Sequence, residues 1–302
     1  AYVGSSIGKF TQITGVRYKT GRSLLKTMDT DAEYQPDFVD LQSYMTYQLA
    51  PKWEVNFLGN LASNTFKFTP HKRETNFGTV ENAQRFEVYF PNSRERDKFQ
   101  TIFGALTLKH NPNEKTELGL QASAFSSKEI ETYDITGEYW LGDATTENDN
   151  NQNALEIARY HEHARNRLSS TIMNVGHYGS SKIKNNTLKW GATVQMEKIN
   201  DRISEWEKRD SAGYSLPQGG GNVNVIANLF SDNKLESTRI SGYLQDVFKF
   251  RTKQGLFTLV GGVRGSYWSY NREFIFSPRA SIGFIPNFDQ NLTFRLASGL
   301  YY

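Results

Sequence analysis

From Leu188 to Glu197 the chain alternates strictly: Leu188, Trp190, Ala192, Val194 and Met196 on one parity, Lys189, Gly191, Thr193, Gln195 and Glu197 on the other. Successive side chains of a strand point to opposite faces, so this pattern predicts a strand with one greasy and one wet side. Trp53, Val55, Phe57, Gly59 and Leu61 repeat it against Glu54, Asn56 and Asn60, with Leu58 the exception. Leu118, Leu120, Ala122 and Ala124 follow, as do Leu292, Phe294 and Leu296. The stretches Ile102 to Leu108 and Arg167 to Val175 alternate poorly and are placed as strands by context. Helical periodicity is nearly absent; Asn153 to Arg165 is its best candidate.

Short connections carry the Pro, Gly or Asn of a tight reversal: Ala50 to Lys52, Asn111 to Lys115, Gly179 to Asn186, Arg251 to Gly255 and Pro286 to Gln290. Between them lie long polar connections near Lys26 to Asp37, Thr69 to Lys98, Ser127 to Ala164 and Glu207 to Glu236, with Ser269 to Phe274 the brief exception. About eleven strands result, near 9–22, 38–49, 53–68, 98–110, 116–127, 165–178, 187–206, 237–250, 255–269, 274–285 and 290–302. Alternation alone does not say which face is inside, because a soluble sandwich shares it. Three features favour a membrane barrel. The strands reach the 9–11 residues that a tilted crossing needs. Short turns face long loops across the sheet. Aromatics flank the short turns, as Tyr47 with Trp53, Phe250 with Phe257, and Phe284 with Phe288, where an interfacial girdle belongs.

Composition narrows the classes further. The 35 Lys and Arg against 32 Asp and Glu leave +3, too little for a nucleic-acid footprint. No Cys is present, which removes disulfides, thiolate nucleophiles and Cys-ligated metals. No apolar run reaches the roughly 18 residues of a transmembrane helix. Aromatic residues make up 14% of a chain whose mean hydropathy is only −0.61, so many rings belong on sheets or at interfaces rather than in an aliphatic core.

The last hundred residues carry a resemblance. Gly242-Tyr-Leu-Gln-Asp-Val-Phe-Lys-Phe250, Leu259-Val-Gly-Gly-Val-Arg-Gly-Ser-Tyr-Trp268, Ser277-Pro-Arg-Ala-Ser281 and Asn291-Leu-Thr-Phe-Arg295, taken in order, resemble the mid-barrel of TonB-dependent outer-membrane receptors. Lys189-Trp-Gly191 and the run Ile203 to Pro217 resemble one branch of them. The resemblance implies an all-β fold: an antiparallel transmembrane β-barrel of about 22 strands, of which this chain would supply about eleven as one partial barrel domain over residues 1–302 without internal boundary. It also implies a plug domain, absent from this stretch, that contacts TonB, the remaining barrel strands, outer-membrane lipid, and in some branches a surface lipoprotein. The implied role is energised uptake of a bulky scarce ligand (a siderophore, cobalamin or an oligosaccharide) across the Gram-negative outer membrane. An open sheet edge in lipid leaves about ten backbone N–H and C=O groups unpaired, tens of kcal/mol, so the chain is expected to fold only beside further strands. The alternatives are a porin, a surface enzyme or a secreted β-sandwich adhesin.

Site chemistry is sparse. Tyr160-His161-Glu162-His163 has Arg165 where an HExxH zinc motif needs its second His, although His161 and His163 would share a face in a strand. Asp143 to Asn151 is acidic but lacks calcium-loop spacing, and Gly219-Gly220-Gly221 opens no phosphate loop. No metal, cofactor or catalytic residue is assigned, and no enzymatic activity is expected. Rings on the strand extensions suit ligand capture: Tyr139, Trp140 and Trp206 with Arg209 are the candidates, beside Tyr133, Tyr214 and Asp210. By parity Glu54, Asn56, Asn60, Lys189, Thr193, Gln195, Arg264, Thr293 and Arg295 line an interior.

Overall fold

The computed structural model describes residues 1–21, 32–79, 81–144, 154–210, 224–288 and 292–301. These form one antiparallel sheet of fourteen strands: β1 (Tyr2–Ile7), β2 (Phe10–Thr20), β3 (Ala32–Ala50), β4 (Trp53–Pro70), β5 (Arg73–Thr79), β6 (Asn82–Tyr89), β7 (Arg94–Asn113), β8 (Thr116–Asp143), β9 (Leu155–Ile183), β10 (Asn186–Asp210), β11 (Asn224–Arg251), β12 (Gly255–Trp268), β13 (Glu273–Pro286) and β14 (Phe294–Gly299). Neighbours in sequence pair in space, except that β4 pairs with β7 and the β5–β6 hairpin attaches through β6 to β8. Among the described residues β1 and β14 end the main run of strands and do not pair with each other, and β5 pairs only with β6.

The expected strands are present but too few; most run longer than expected, whereas β2 and β14 are shorter than the 9–22 and 290–302 read from sequence. β1 was not anticipated, and β5 and β6 occupy a stretch read as loop. Asn153 to Arg165, the helix candidate, belongs largely to β9, which begins at Leu155. β8, β9 and β11 run 28, 29 and 28 residues, far past the positions where alternation fades. At about 3.3 Å per residue such strands are about 90 Å long, several times a tilted bilayer crossing. The physical reason is simple. Past the apolar band the two faces of a strand no longer differ in surroundings, so hydropathy stops alternating while backbone pairing continues.

Register converts parity into two faces. One row of directly opposed residues runs Met45, Phe57, Leu106, Ala122, Val175, Val194, Ile240 across seven strands, all apolar. The row one residue away runs Thr46, Asn56, Thr107, Gln121, Gly176, Thr193, Ser241. The interior set read from sequence falls on this polar face wherever pairing fixes it, as for Lys189 against Gln245 and Arg264 against Tyr243. No second layer covers the aliphatic face among the described residues. Val194 is 41% exposed and Phe294 57%, and among the described residues the buried apolar ones are Ala32, Val88, Ala105 and Ala164. The sandwich alternative lacks its inner core.

Turns sort by end. β9 and β10 join through Lys184 and Asn185, with Lys184 at φ 54, the left-handed geometry of a two-residue hairpin. Beside these short turns the aliphatic face carries a stacked row: Phe250 on Phe257 at 5.2 Å, Phe257 on Phe284 at 4.4 Å, Phe284 near Phe294 at 6.5 Å. Trp53 lies on His110 at 3.9 Å in the same zone. The girdle expected there is present.

Candidate functional site

Two prolines shape the polar face above the apolar band. Pro70 ends β4 and Pro91 lies between β6 and β7; neither can donate to a ladder. β4 with β5, and β6 with β7, are therefore long lanes broken at one height. The second break is clamped by Ser93, which is 5% exposed. Its hydroxyl accepts from the Thr136 N–H at 2.8 Å and lies 3.0 Å from the Thr136 carbonyl as donor. Asn92, at φ 53, makes the turn. Lys72, within the first break, reaches the buried Glu87 at 2.5 Å and covers the Tyr89 ring at 4.9 Å. The hydrogen bond to Glu87 raises the Lys72 pKa although burial opposes it.

A cavity of about 430 Å³ opens beside these breaks, walled by Phe68, Phe86, Phe90, Tyr139 and Tyr160 with Arg73 and Glu162. Phe86 stacks near Tyr139 at 5.8 Å, and Tyr139 meets Tyr160 at 5.9 Å. Tyr34 lies 5.2 Å from Phe68 and extends the ring surface. Directly opposite Tyr160 is Gly137, where an added Cβ would meet the ring at 2.1 Å; glycine is what lets the phenol lie across the strand. Burial, then Tyr139 and Glu162, push the Tyr160 pKa up to about 12, and burial with Glu207 raises that of Glu162. Such a site can stack a flat or bulky apolar surface and hold polar groups at its rim.

A second polar-face cluster lies lower on β7 and β8. Carboxylate oxygens of Glu95, Asp97 and Glu131 lie within 4.8 Å of one another, and Asp97 is only 8% exposed. Burial, then Asp97 and Glu131, raise the Glu95 pKa to about 7. These three have the donor set and spacing for a hard cation.

The sequence candidates separate. Tyr139 lines the aromatic cavity, and Arg209, register partner of Tyr160, shares its face beside Glu207. Trp206 is on the opposite, aliphatic-parity face, stacked on His163 with centroids 4.8 Å apart and meeting His161 edge-on. Trp140 follows a bulge after Tyr139 and pairs with Glu87 on β6. The four do not form one site. Asp143 ends β8, and residues 145–151 of the acidic stretch, Tyr214 and Gly219 to Gly221 lie outside the described residues. His161 and His163 do share a face. His163 Nδ1 is 2.6 Å from Asp134, which also takes Arg165, while His161 Nε2 is 3.9 Å away. Partial burial disfavours the Asp134 carboxylate, but the bonds from Arg165 and His163 outweigh it and lower its pKa. Phe68, Phe86 and Arg73 were not singled out in sequence, and Tyr160 was named only as the start of the His cluster. Alternation of Phe86 and Val88 about Glu87 was the available signal.

Residues 54–300 match the family model described as TonB dependent receptor-like, β-barrel. The chain belongs to that family. This TonB-dependent receptor barrel chain has no match among curated proteins. Among solved structures it is similar to the translocator domain of autotransporter NalP from Neisseria meningitidis, with 11% identity and a TM-score of 0.35, over 97% of this chain and 81% of that one. At that level the likeness carries nothing about function. The family places receptor and transport roles on a β-barrel wall, and the two faces described above are the two sides of that wall.

Proposed function

We propose that this chain forms wall and capture surface of a 22-stranded outer-membrane transporter that takes up a bulky, scarce ligand with energy delivered through TonB. The observation that carries the reading is the uncovered aliphatic face. On β10 it runs from Leu188 to Met196, the length of one tilted crossing, and it continues in register over neighbouring strands. A face of that width in water would be an aggregation surface; in acyl chains it is solvated.

Further strands beyond β1 and β14 complete the ring, because open edges in lipid cost tens of kcal/mol. The polar face then lines a lumen holding a plug domain. Arg264, Arg279 and Arg295 surround one cavity of about 400 Å³ on that face and would meet acidic plug groups. The aromatic cavity at Tyr139 and Tyr160 receives the ligand on the side of the long connections, with or without a surface lipoprotein. Siderophore, cobalamin and oligosaccharide all suit stacked rings with charged rims. The chain itself does no bond-breaking chemistry. Washing membranes with carbonate at high pH tests the reading. Retention in the pellet is expected; release into the supernatant overturns it.

A further inference from the structure

β7 resumes after the break at Pro91 with two carboxylates on the polar face, Glu95 and Asp97, and Glu131 of β8 stands directly opposite Asp97. Like charges opposed across a ladder are destabilising, and here all three carboxylates offer oxygens within 4.8 Å of one another. Across β4 to β10 the same rows hold Phe66, Phe68, Tyr133, Ala164, Asn166 and Glu205, which adds a fourth carboxylate and no Lys or Arg. None of the four carboxylates has an ion pair within 4.0 Å among the described residues.

Asp97 is the informative member. It is 8% exposed, and its Oδ1 is enclosed without a hydrogen-bond partner. Glu95 and the Thr132 backbone contact the carboxylate, but Oδ1 stays unserved. A buried carboxylate with an empty acceptor is costly unless it is paired or ligates a metal. Glu131 is set for the same task. Asn166 donates to its Oε2 at 2.9 Å, which orients the carboxylate and leaves Oε1 over. The Asn166 amide is itself fixed: it also donates to Glu205 at 2.6 Å, and its Oδ1 accepts from the Ser204 N–H at 3.1 Å.

We infer that Glu95, Asp97 and Glu131 bind a calcium ion that ties β7 to β8. Calcium takes oxygen ligands at about 2.3–2.6 Å in loose geometry. Oxygens within 4.8 Å of one another close on one such ion with small side-chain movements, and water fills the remaining positions. Magnesium demands about 2.0–2.1 Å and a near-ideal octahedron, which three carboxylates on two paired strands do not present. The site adjoins the aromatic cavity, because Phe68 lines that cavity and is the register partner of Glu95. Bound calcium therefore fixes the strands on which the cavity rests. This assignment uses the polar face alone and holds whichever solvent covers the other face.

Calorimetric titration of the complete, chelator-stripped protein with calcium tests it, in nonionic detergent and about 0.15 M salt to screen diffuse attraction. The wild type is expected to bind one calcium ion more per molecule than Asp97→Asn, and to bind magnesium there about tenfold or more weakly. Glu131→Gln, at an exposed position, weakens the site by about tenfold or more. The control Glu114→Gln, Glu117→Gln, beside a short turn, keeps the wild-type result. Terbium in place of calcium gives the location. Tyr133 is close enough to feel the charges of Glu131 and Glu95, so it sensitises terbium emission, which falls in Tyr133→Phe and in Asp97→Asn. Folding of each variant is checked by its heat-dependent gel shift, and Glu131→Gln carries the test if Asp97→Asn misfolds. Wild-type calcium binding in both carboxylate variants, loss in the control, equal affinity for magnesium, or terbium emission indifferent to Tyr133→Phe each overturns the inference.

Discussion

Trp206 lies flat against His163, the two planes 8° from parallel, while His161 meets the same indole edge-on. Lys208 covers the Trp206 ring from 4.9 Å. Burial lowers the His161 pKa from its ordinary 6.5; Asp134 opposes this, and His163 and Lys208 reinforce it. The sign follows directly. The fold favours neutral His161, so its contribution is present above the unfolded value and lost as pH falls through the folded one. We expect NMR titration of His161 to give a midpoint below 6.5, with Trp206 fluorescence falling over the same range. Asp134→Asn should lower the midpoint further, since Asp134 favours the charged ring. A midpoint above the ordinary value would contradict this account.

Ser93 is the second test. Its buried hydroxyl is the acceptor for one backbone group of Thr136 and lies in donor range of the other. Ser93→Ala leaves both unpaired at the join of β6 and β7, a cost of about 1–3 kcal/mol. Urea unfolding of the inserted protein should show that loss, and limited proteolysis should cut near residues 90–93 first. Stability equal to wild type would mean that water replaces the hydroxyl fully.

From Leu188 to Met196 β10 was legible almost residue by residue because its two faces differ sharply in hydropathy, and alternation records the difference. The same strand past Met196 was only partly so: Lys198, Asn200, Arg202 and Ser204 face one side, Glu197, Ile199, Asp201 and Ile203 the other, and neither side reads as core. The β5–β6 hairpin was hidden for another reason. Its pairing with β8 is set by prolines that break two lanes at one height, a coincidence between segments that no local window contains. Tyr139 was found as a ring on an extension, but its cavity partners Phe68 and Tyr160 come from β4 and β9, and only register brings them together. The acidic trio depends likewise on Asp97 standing opposite Glu131.

Gly137 offers a test of the aromatic cavity that spares its chemistry. Alanine there drives the Tyr160 ring off the strand, because the new Cβ and the ring would occupy the same space. The new Cβ meets only ring atoms of a side chain and no backbone, so the fold should persist. Once moved, the phenol loses the burial that pushes its pKa up to about 12. Nitration proceeds through the phenolate, and each unit of pKa recovered is tenfold in that form. Gly137→Ala is therefore expected to speed nitration of Tyr160 by about tenfold or more, read by peptide mapping; an unchanged rate would place the ring elsewhere.

Thr193 and Val194 are adjacent in sequence, near the middle of the apolar band, and point to opposite sides of one wall. Thr193 opposes Gly176 and Ser241; Val194 opposes Val175 and Ile240. If the Val194 side meets acyl chains, arginine there must carry its charge into the bilayer near midplane, costing about 2–4 kcal/mol. Arginine at Thr193 enters a wet interior among small residues, where snorkelling is unnecessary and the cost should be under about 1 kcal/mol. Urea titration of refolding into lipid vesicles compares the two in the same strand, with the same charge and helix-free background. An ordering of Val194→Arg well below Thr193→Arg is expected. The reverse ordering would turn the wall inside out, and equal losses would mean that neither side meets hydrocarbon.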